Sequence, residues 1–400
     1  MREGWTVKRI EDVADTRLGK TLPQGAGRVD GGQRYLRNVN VRWGQITTDD
    51  LNTMDFSEHE QRDLELRAGD VVVCEGGEVG RCALIAEDMP GVYFQNALHR
   101  LRSNGTVVPA FLAYTIENLV SSGGLEGVTS QVTIAHLNQA KLRAIELLIP
   151  PLSEQQRIVD LIESLDATIE AADESAGALD HAYLALLERV NNSGFELRRL
   201  ESVLSKAKAG GTPSRTVPKN YGGSIPWLKS GEVENDSIIT SSESITEFAL
   251  ASSSAWLAPA GATVVAMYGQ GDTKGKAGFL LAPVAMNQAV IALVPNEEII
   301  DGRFLFHVMR SRTGSLRKKA VGAAQPNLSK GIVVDEEIPL PPLSAQPGIS
   351  SMLDSALDSR RLAELHAASL RNLRTNLLTT LLSGAHEIPE SYDDQLPEAV

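Results

Sequence analysis

The sequence predicts an α+β chain of two similar mixed α/β domains, each followed by one long helix, with the two helices packed as a coiled coil. Three observations predict it. The stretch Leu148-Ile-Pro-Pro-Leu-Ser-Glu-Gln155 returns 191 residues later as Pro339-Leu-Pro-Pro-Leu-Ser-Ala-Gln346. Each copy opens a segment with heptad-spaced apolar residues. Each copy also closes a long segment in which β-rich runs, helical spacings and Gly-rich turns alternate. Domain boundaries follow at 1–150, 151–194 for the first helix, 195–340, 341–384 for the second helix, and 385–400 for a flexible tail.

The duplication extends through both domains. Trp5-Thr-Val-Lys-Arg-Ile10 matches Phe195-Glu-Leu-Arg-Arg-Leu200, and Tyr35-Leu-Arg-Asn38 matches Trp227-Leu-Lys-Ser230. Gly69-Asp-Val-Val-Val73 matches Gly261-Ala-Thr-Val-Val265, and Gln95-Asn-Ala-Leu98 matches Asn287-Gln-Ala-Val290. A period this long means a duplicated domain plus helix rather than a solenoid of short repeats. In the first domain Val71–Cys74 reads as a strand after a glycine turn, and Pro109–Glu117 has helical spacing. Thr263–Ala266, Ala289–Val294 and Phe304–Arg310 read the same way in the second.

The first long helix carries an unbroken 4-3-4-3 seam: Ile158, Ile162, Leu165, Ile169, Ala172, Ala176, Leu179, Tyr183, Leu186 and Val190. Pro150 and Pro151 stop the preceding strand. Ser153 with Gln156 fits a capping box, and Asn191-Asn-Ser-Gly194 fits a stop. The second seam is Ile349, Leu353, Ala356, Arg360, Ala363, Ala367, Leu370, Arg374, Leu377 and Leu381, with Pro347 suited to a first helical turn. Its two arginines are expected to pair with acidic residues of the first helix or to reach solvent. Such a helix is roughly 55 Å long at a rise of about 1.5 Å per residue.

Composition sets the limits. The 400 residues carry a net charge of −13, which taken whole argues against nucleic-acid binding. The charge is uneven: 16 basic and 20 acidic residues in 1–150, 2 and 9 in 151–194, 16 and 14 in 195–340, and 4 and 8 in 341–400. The domains are near balance, and the excess acid lies in the helices and tail. Cys74 and Cys82 fit neither a zinc pair nor a redox motif, and read as ordinary thiols of a reducing cytosol. No signal peptide and no apolar run long enough for a membrane span are visible, so a cytoplasmic protein is expected.

Catalytic motifs are not found. The loop Gly269-Gln-Gly-Asp-Thr-Lys-Gly-Lys-Ala277 fails the P-loop pattern at Gln270 and Ala277, and fails the dinucleotide pattern at Lys274. It suits a DNA phosphate better, through Lys274 and Lys276. There is no nucleophile elbow, no zinc-protease motif and no methyltransferase Pro-Pro-aromatic motif. Side chains able to read bases are present, because arginine pairs with guanine and asparagine or glutamine with adenine. Arg34, Arg37, Asn38, Asn40 and Arg42 cluster in the first domain, and Lys229 and Ser230 hold the equivalent place in the second. Gln131, Thr133 and His136 correspond to Gln325 and Asn327, just before each domain's last strand. Divergent polar loops on a duplicated scaffold suit two different half-sites.

The repeated Ile149-Pro-Pro-Leu-Ser-Glu-Gln-Gln-Arg-Ile158 and Leu340-Pro-Pro-Leu-Ser-Ala-Gln346, with Gly211-Thr-Pro213 and Asn287-Gln-Ala289, resemble the specificity subunit of type I restriction–modification enzymes. The resemblance covers nearly the whole chain. It implies two target-recognition domains, each binding half of a split DNA sequence, and two antiparallel spacer helices in a pseudo-twofold arrangement. It implies as partners two methyltransferase subunits using S-adenosylmethionine, and a separate translocase–nuclease using ATP and magnesium. No cofactor or metal is implied for the chain itself. The coiled-coil and partner-binding residues would be Ile158, Ile162, Leu165, Ile169, Leu179, Leu186, Ile349, Leu353, Leu370 and Leu377. In the second copy Ala345 stands for Glu154 and Pro347 for Gln156. The alternative is a non-catalytic coiled-coil scaffold or homodimer with two protein-binding domains, which the acidic helices favour.

Overall fold

A computed structural model describes residues 2–22, 29–125, 136–320 and 327–395. The chain forms two compact units, residues 1–171 with 366–400, and residues 172–365. Each unit therefore holds one domain together with part of each long helix, rather than a domain alone.

In the first unit the strand Thr6–Arg9 pairs antiparallel with Glu146–Ile149, so the domain closes where it opens. An antiparallel sheet runs in the order Ala14–Leu18, Leu98–Ser103, Asp70–Cys74, Cys82–Leu84. Asp70–Cys74 is buried at every position, as a continuous apolar run flanked on both faces requires. A second sheet joins Asn52–Met54, Gln33–Leu36 and Val92–Phe94, with Leu36 opposite Phe94 in parallel register.

The second unit repeats this plan. Glu196–Arg199 pairs with Glu337–Leu340. The main sheet runs Leu204–Ala209, Val290–Pro295, Thr263–Ala266, Ala277–Leu280, with Ser237–Ile238 added at the edge. Leu228 lies opposite Met286 in the same parallel register as Leu36 and Phe94. The glycines at the strand ends show how tightly the plan is kept. A Cβ on Gly19 would lie 2.2 Å from the Gln95 carbonyl oxygen, and one on Gly210 would lie 2.1 Å from that of Met286. Neither site accepts a side chain, because backbone approaches there.

The long helices span Leu152–Asn191 and Gln346–Leu382. The first starts one residue before Ser153, and the Pro151 carbonyl accepts the Gln155 N–H at 3.0 Å. The expected capping box is therefore absent: Gln156 donates instead to Asp160 at 2.8 Å. Within each unit the helix segments run antiparallel. Asp166 meets Arg374 in the first. In the second, Asp180 meets Arg360 at 2.9 Å and Tyr183 and Leu187 pack with Leu353. Both seam arginines thus find carboxylates of the first helix.

The apolar seam is used for this internal packing. Ile158, Ile162, Ile169 and Leu353 are buried, and Leu165, Leu179, Leu186, Ile349, Leu370 and Leu377 are half-buried. This is the coiled-coil packing that the heptad spacing predicts for the seam. Among the described residues of the two helices, the large apolar side chains more than half exposed are Leu184, Met352, Leu362, Leu365 and Leu373.

One further expectation is corrected. Residues 385–395 are no loose tail: Ile388 is buried in the first unit's core, and Arg157 grips Asp393 with two nitrogens at 2.8 and 3.0 Å. The change from Glu154 to Ala345 is balanced inside the fold. Glu154 accepts the Trp5 indole N–H at 3.0 Å, and the matching positions in the second copy are Phe195, which has no N–H, and Ala345.

Candidate nucleic-acid interface

In the first unit three loop segments converge. The loop between Asp70–Cys74 and Cys82–Leu84 contains Gly76 and Gly77. A Cβ on Gly77 would lie 3.6 Å from the Asn38 amide nitrogen, and one on Gly76 3.3 Å from the His136 ring. The Leu137 N–H donates to the Glu75 carbonyl at 2.9 Å, which ties the third segment down. The loop closes on Gly80, whose φ is +85° and where an added Cβ would lie 2.6 Å from the Val120 side chain, which excludes other residues.

The tight turn Asn38–Asn40 sets the side chains around this point. Asn40 is buried, its carbonyl accepts the Arg37 N–H at 3.0 Å, and its amide donates to the Asp50 carbonyl at 3.2 Å. It is a turn-former and cannot read a base. Arg37 uses one guanidinium nitrogen, Nη2, to donate to the Asp50 carbonyl and carboxylate at 3.0 and 2.8 Å, while its buried Nε has no partner among the described residues. The expectation that Asn40 contacts a base is corrected by its burial and its turn bonds. Asn38 is half-exposed, and Arg34, Arg42 and His136 are exposed. Arg34 and Arg42 pair with no carboxylate among the described residues. Gln131, Thr133 and Gln325 lie outside the described residues.

The second unit builds the same corner with other residues. The turn Ser230–Glu232 replaces Asn38–Asn40, and the Glu232 carboxylate accepts the Lys229 N–H at 2.9 Å where Asn40 served before. Desolvation works against that carboxylate, but the Ser242 and Lys229 N–H groups outweigh it and lower its pKa. Lys229 reaches Glu243 at 3.5 Å, and Ser230 is half-exposed. The Gly-rich loop closes on Gly275, whose φ is +81° and where an added Cβ would lie 2.8 Å from the Thr313 carbonyl oxygen, as Gly80 closes the first.

Lys276 sits between Glu234 and Asp272, the latter at 3.1 Å, and is mostly buried. Its hydrogen bond to Glu234 raises its pKa against desolvation, and Asp272 adds to the rise. Its charge is therefore spent inside the loop, which corrects its assignment as a phosphate contact. Lys274 stays on the loop, and Arg317 donates to the carbonyls of Asp272 and Lys274. Asn327 is half-exposed beside Leu328, whose N–H reaches the Met267 carbonyl at 3.0 Å. Exposed Arg317, Lys318 and Tyr268 were missed in the sequence reading, although the run Arg317-Lys318-Lys319 was visible there.

The model of the type I restriction–modification DNA specificity domain matches the chain twice, over residues 2–176 and 192–367. The chain belongs to this family. The two matches coincide with the two copies of the internal repeat, each a domain with most of its helix. Among curated specificity subunits, that of the type I restriction enzyme EcoR124I/EcoR124II of Escherichia coli is 26% identical over 206 residues, half the length of each chain. The putative MjaX specificity subunit of Methanocaldococcus jannaschii is 20% identical over 415 residues, covering 96% of this chain and 93% of that one. The solved type I S subunit from M. genitalium shares the fold at a TM-score of 0.58 and 14% identity, over 94% of this chain and 96% of that one. A chain from a study of complex assembly and conformational transition of the type I system gives 0.62 at 17% identity, over 96% and 98%. Among the described residues of this specificity-domain protein, no helix is long and apolar enough to cross a membrane.

Proposed function

We propose that this chain is the sequence-reading, non-catalytic subunit of a type I restriction–modification complex, with each unit reading one half of a split DNA target. One observation carries this reading. The framework is kept between copies, in the parallel register, in Gly19 and Gly210, and in Gly80 and Gly275. The loops on that framework differ at equivalent positions, Arg37-Asn38-Val39-Asn40 against Lys229-Ser230-Gly231-Glu232. One scaffold carrying two different polar corners suits two different base sequences. The candidate base and backbone contacts are Arg34, Asn38, Arg42 and His136 in the first unit, and Lys229, Ser230, Lys274 and Asn327 in the second.

The partners are two methyltransferase subunits that use S-adenosylmethionine, and a restriction subunit that uses ATP and magnesium. The chain holds none of these cofactors itself. The outward-facing Leu184, on the acidic first helix, suits a basic helix of a partner. The acidity of that helix also fits a protein scaffold with no DNA role, and the same experiment separates the two. Duplex binding is measured for the chain with its methyltransferase across a salt series. Tight binding to the methylated sequence, weakening as salt rises, is expected. Binding that ignores sequence, or no binding at any salt, favours the scaffold.

A further inference from the structure

In the second unit, Lys206 and Lys208 stand on the edge strand Leu204–Ala209. Two residues apart on a strand, they point to the same face, roughly 7 Å from each other. Both are exposed, and both place their ammonium groups over one ring: the nitrogens are 4.3 and 5.4 Å from the centre of Trp256. The ring is itself fixed, because its indole N–H donates to the Ala209 carbonyl at 3.0 Å. Neither lysine has a carboxylate partner among the described residues. In a chain of net charge −13, several other cations of this unit, Arg198, Arg199, Arg215, Lys276 and Lys319 among them, are paired with carboxylates.

Holding two like charges together over one aromatic plate costs energy unless an anion is brought to them. The spacing suits successive phosphates of one nucleic-acid strand. The first copy lacks the feature. Its matching residues are Asp15 and Arg17, which lie 3.6 Å apart as an ion pair, and Asp15 also accepts Arg100 at 2.9 Å. The matching pair of positions thus carries no net charge where the second copy carries two cations.

We propose that Lys206 and Lys208, seated on Trp256, form a phosphate-contact site for duplex DNA that only the second unit possesses. The proposal rests on the DNA-reading function above. It makes the grip on DNA unequal: one half-site is held by sequence-reading loops and a backbone clamp, the other by its loops without this clamp.

The test uses the full chain with its methyltransferase and two labelled duplexes, one carrying the methylated target and one unrelated. In the double variant Lys206→Gln/Lys208→Gln, affinity for both duplexes should fall by the same factor, and the slope of log affinity against log salt should shrink by about 2. Phosphate-ethylation interference should weaken on one side of the target only. Arg17→Gln should leave the slope unchanged. Equal thermal melts of variant and wild type show that folding is intact. A wild type that binds its target with a steep salt slope, and a double variant with the same slope, overturns this site and leaves the DNA-reading function standing. A wild type that binds neither duplex overturns that function, and the site with it.

Discussion

The side-chain carbonyl of Gln155 accepts the backbone N–H of Val108 at 2.7 Å, and its amide donates to the Pro150 carbonyl at 2.8 Å. Gln346 makes the matching set in the second copy, accepting Asp301 N–H at 2.6 Å and donating to the carbonyls of Pro341 and Ile299 at 2.9 and 3.0 Å. Both side chains are fully buried. Val108 and Asp301 precede the domain helices Pro109–Ser121 and Gly302–Ser311. The repeated glutamine therefore clamps the start of each long helix to its own domain.

Gln155→Ala or Gln346→Ala strands a buried N–H and a buried carbonyl. A loss of about 2 to 4 kcal/mol is expected from each, since each orphaned group costs on the order of 1 to 3. Chemical denaturation followed by hydrogen exchange checks it, with exchange rising at the N-terminal turn of the affected long helix. Unchanged exchange at both turns would show that the clamp bears no weight.

Tyr183, His307 and Asp354 form a buried chain in the second unit: the Tyr183 hydroxyl lies 3.1 Å from His307 Nδ1, and His307 Nε2 lies 2.9 Å from Asp354. A neutral ring satisfies both, with Nε2–H donating to the carboxylate and Nδ1 accepting from the hydroxyl. Burial pushes the His307 pKa down to about 4; the Asp354 charge opposes this, and Arg303 adds to it. An unfolded histidine titrates near 6.5, so between about pH 6.5 and 4 the unfolded chain binds a proton that the folded one refuses. Stability should be full above pH 7, fall by up to about 3 kcal/mol as pH drops through that window, and level off below it. Unfolding midpoints of wild type and His307→Gln measured from pH 7.5 to 4.5 check this, with the variant losing most of the slope.

The sequence shows what is periodic and hides what is tertiary. The heptad seams, the Pro-Pro-Leu-Ser repeat and the central strands Asp70–Cys74 and Thr263–Ala266 were readable because burial imposes a spacing on the chain. The state of a polar side chain has no such spacing. Asn40 and Lys276 looked like readers of DNA, and only the fold shows one spent on a turn and the other on two carboxylates. Trp256 gave no signal, since it lies 48 residues beyond the lysine pair it supports.

Arg374 binds Glu117 and Asp166 together, at 2.6 and 3.2 Å, and the Tyr114 hydroxyl donates to the same Asp166 at 3.2 Å. This is how the first unit ties the domain helix to both long helices. Arg374→Ala leaves two carboxylates facing each other and should cost about 2 kcal/mol or more, the partial exposure of the pair trimming the value for a buried one. Arg374→Lys should recover only part, because one ammonium cannot fork to two acids. Thermal melts of the three proteins order the effect, and equal melting of all three would show the cluster to be idle.

Arg42→Ala and Asn40→Ala separate reading from folding at the first corner. Arg42 is exposed and has no carboxylate partner among the described residues, so its loss should weaken or relax DNA recognition with melting unchanged. Asn40 is buried and holds two backbone groups, so its loss should lower the melting temperature first, by about 1 to 3 kcal/mol of stability. The two readouts, duplex affinity at fixed salt and thermal melting, are expected to move in opposite variants. If Asn40→Ala melts like wild type yet changes the methylated sequence, the turn is a reading element after all, and the division between framework and loop has been drawn one residue too far.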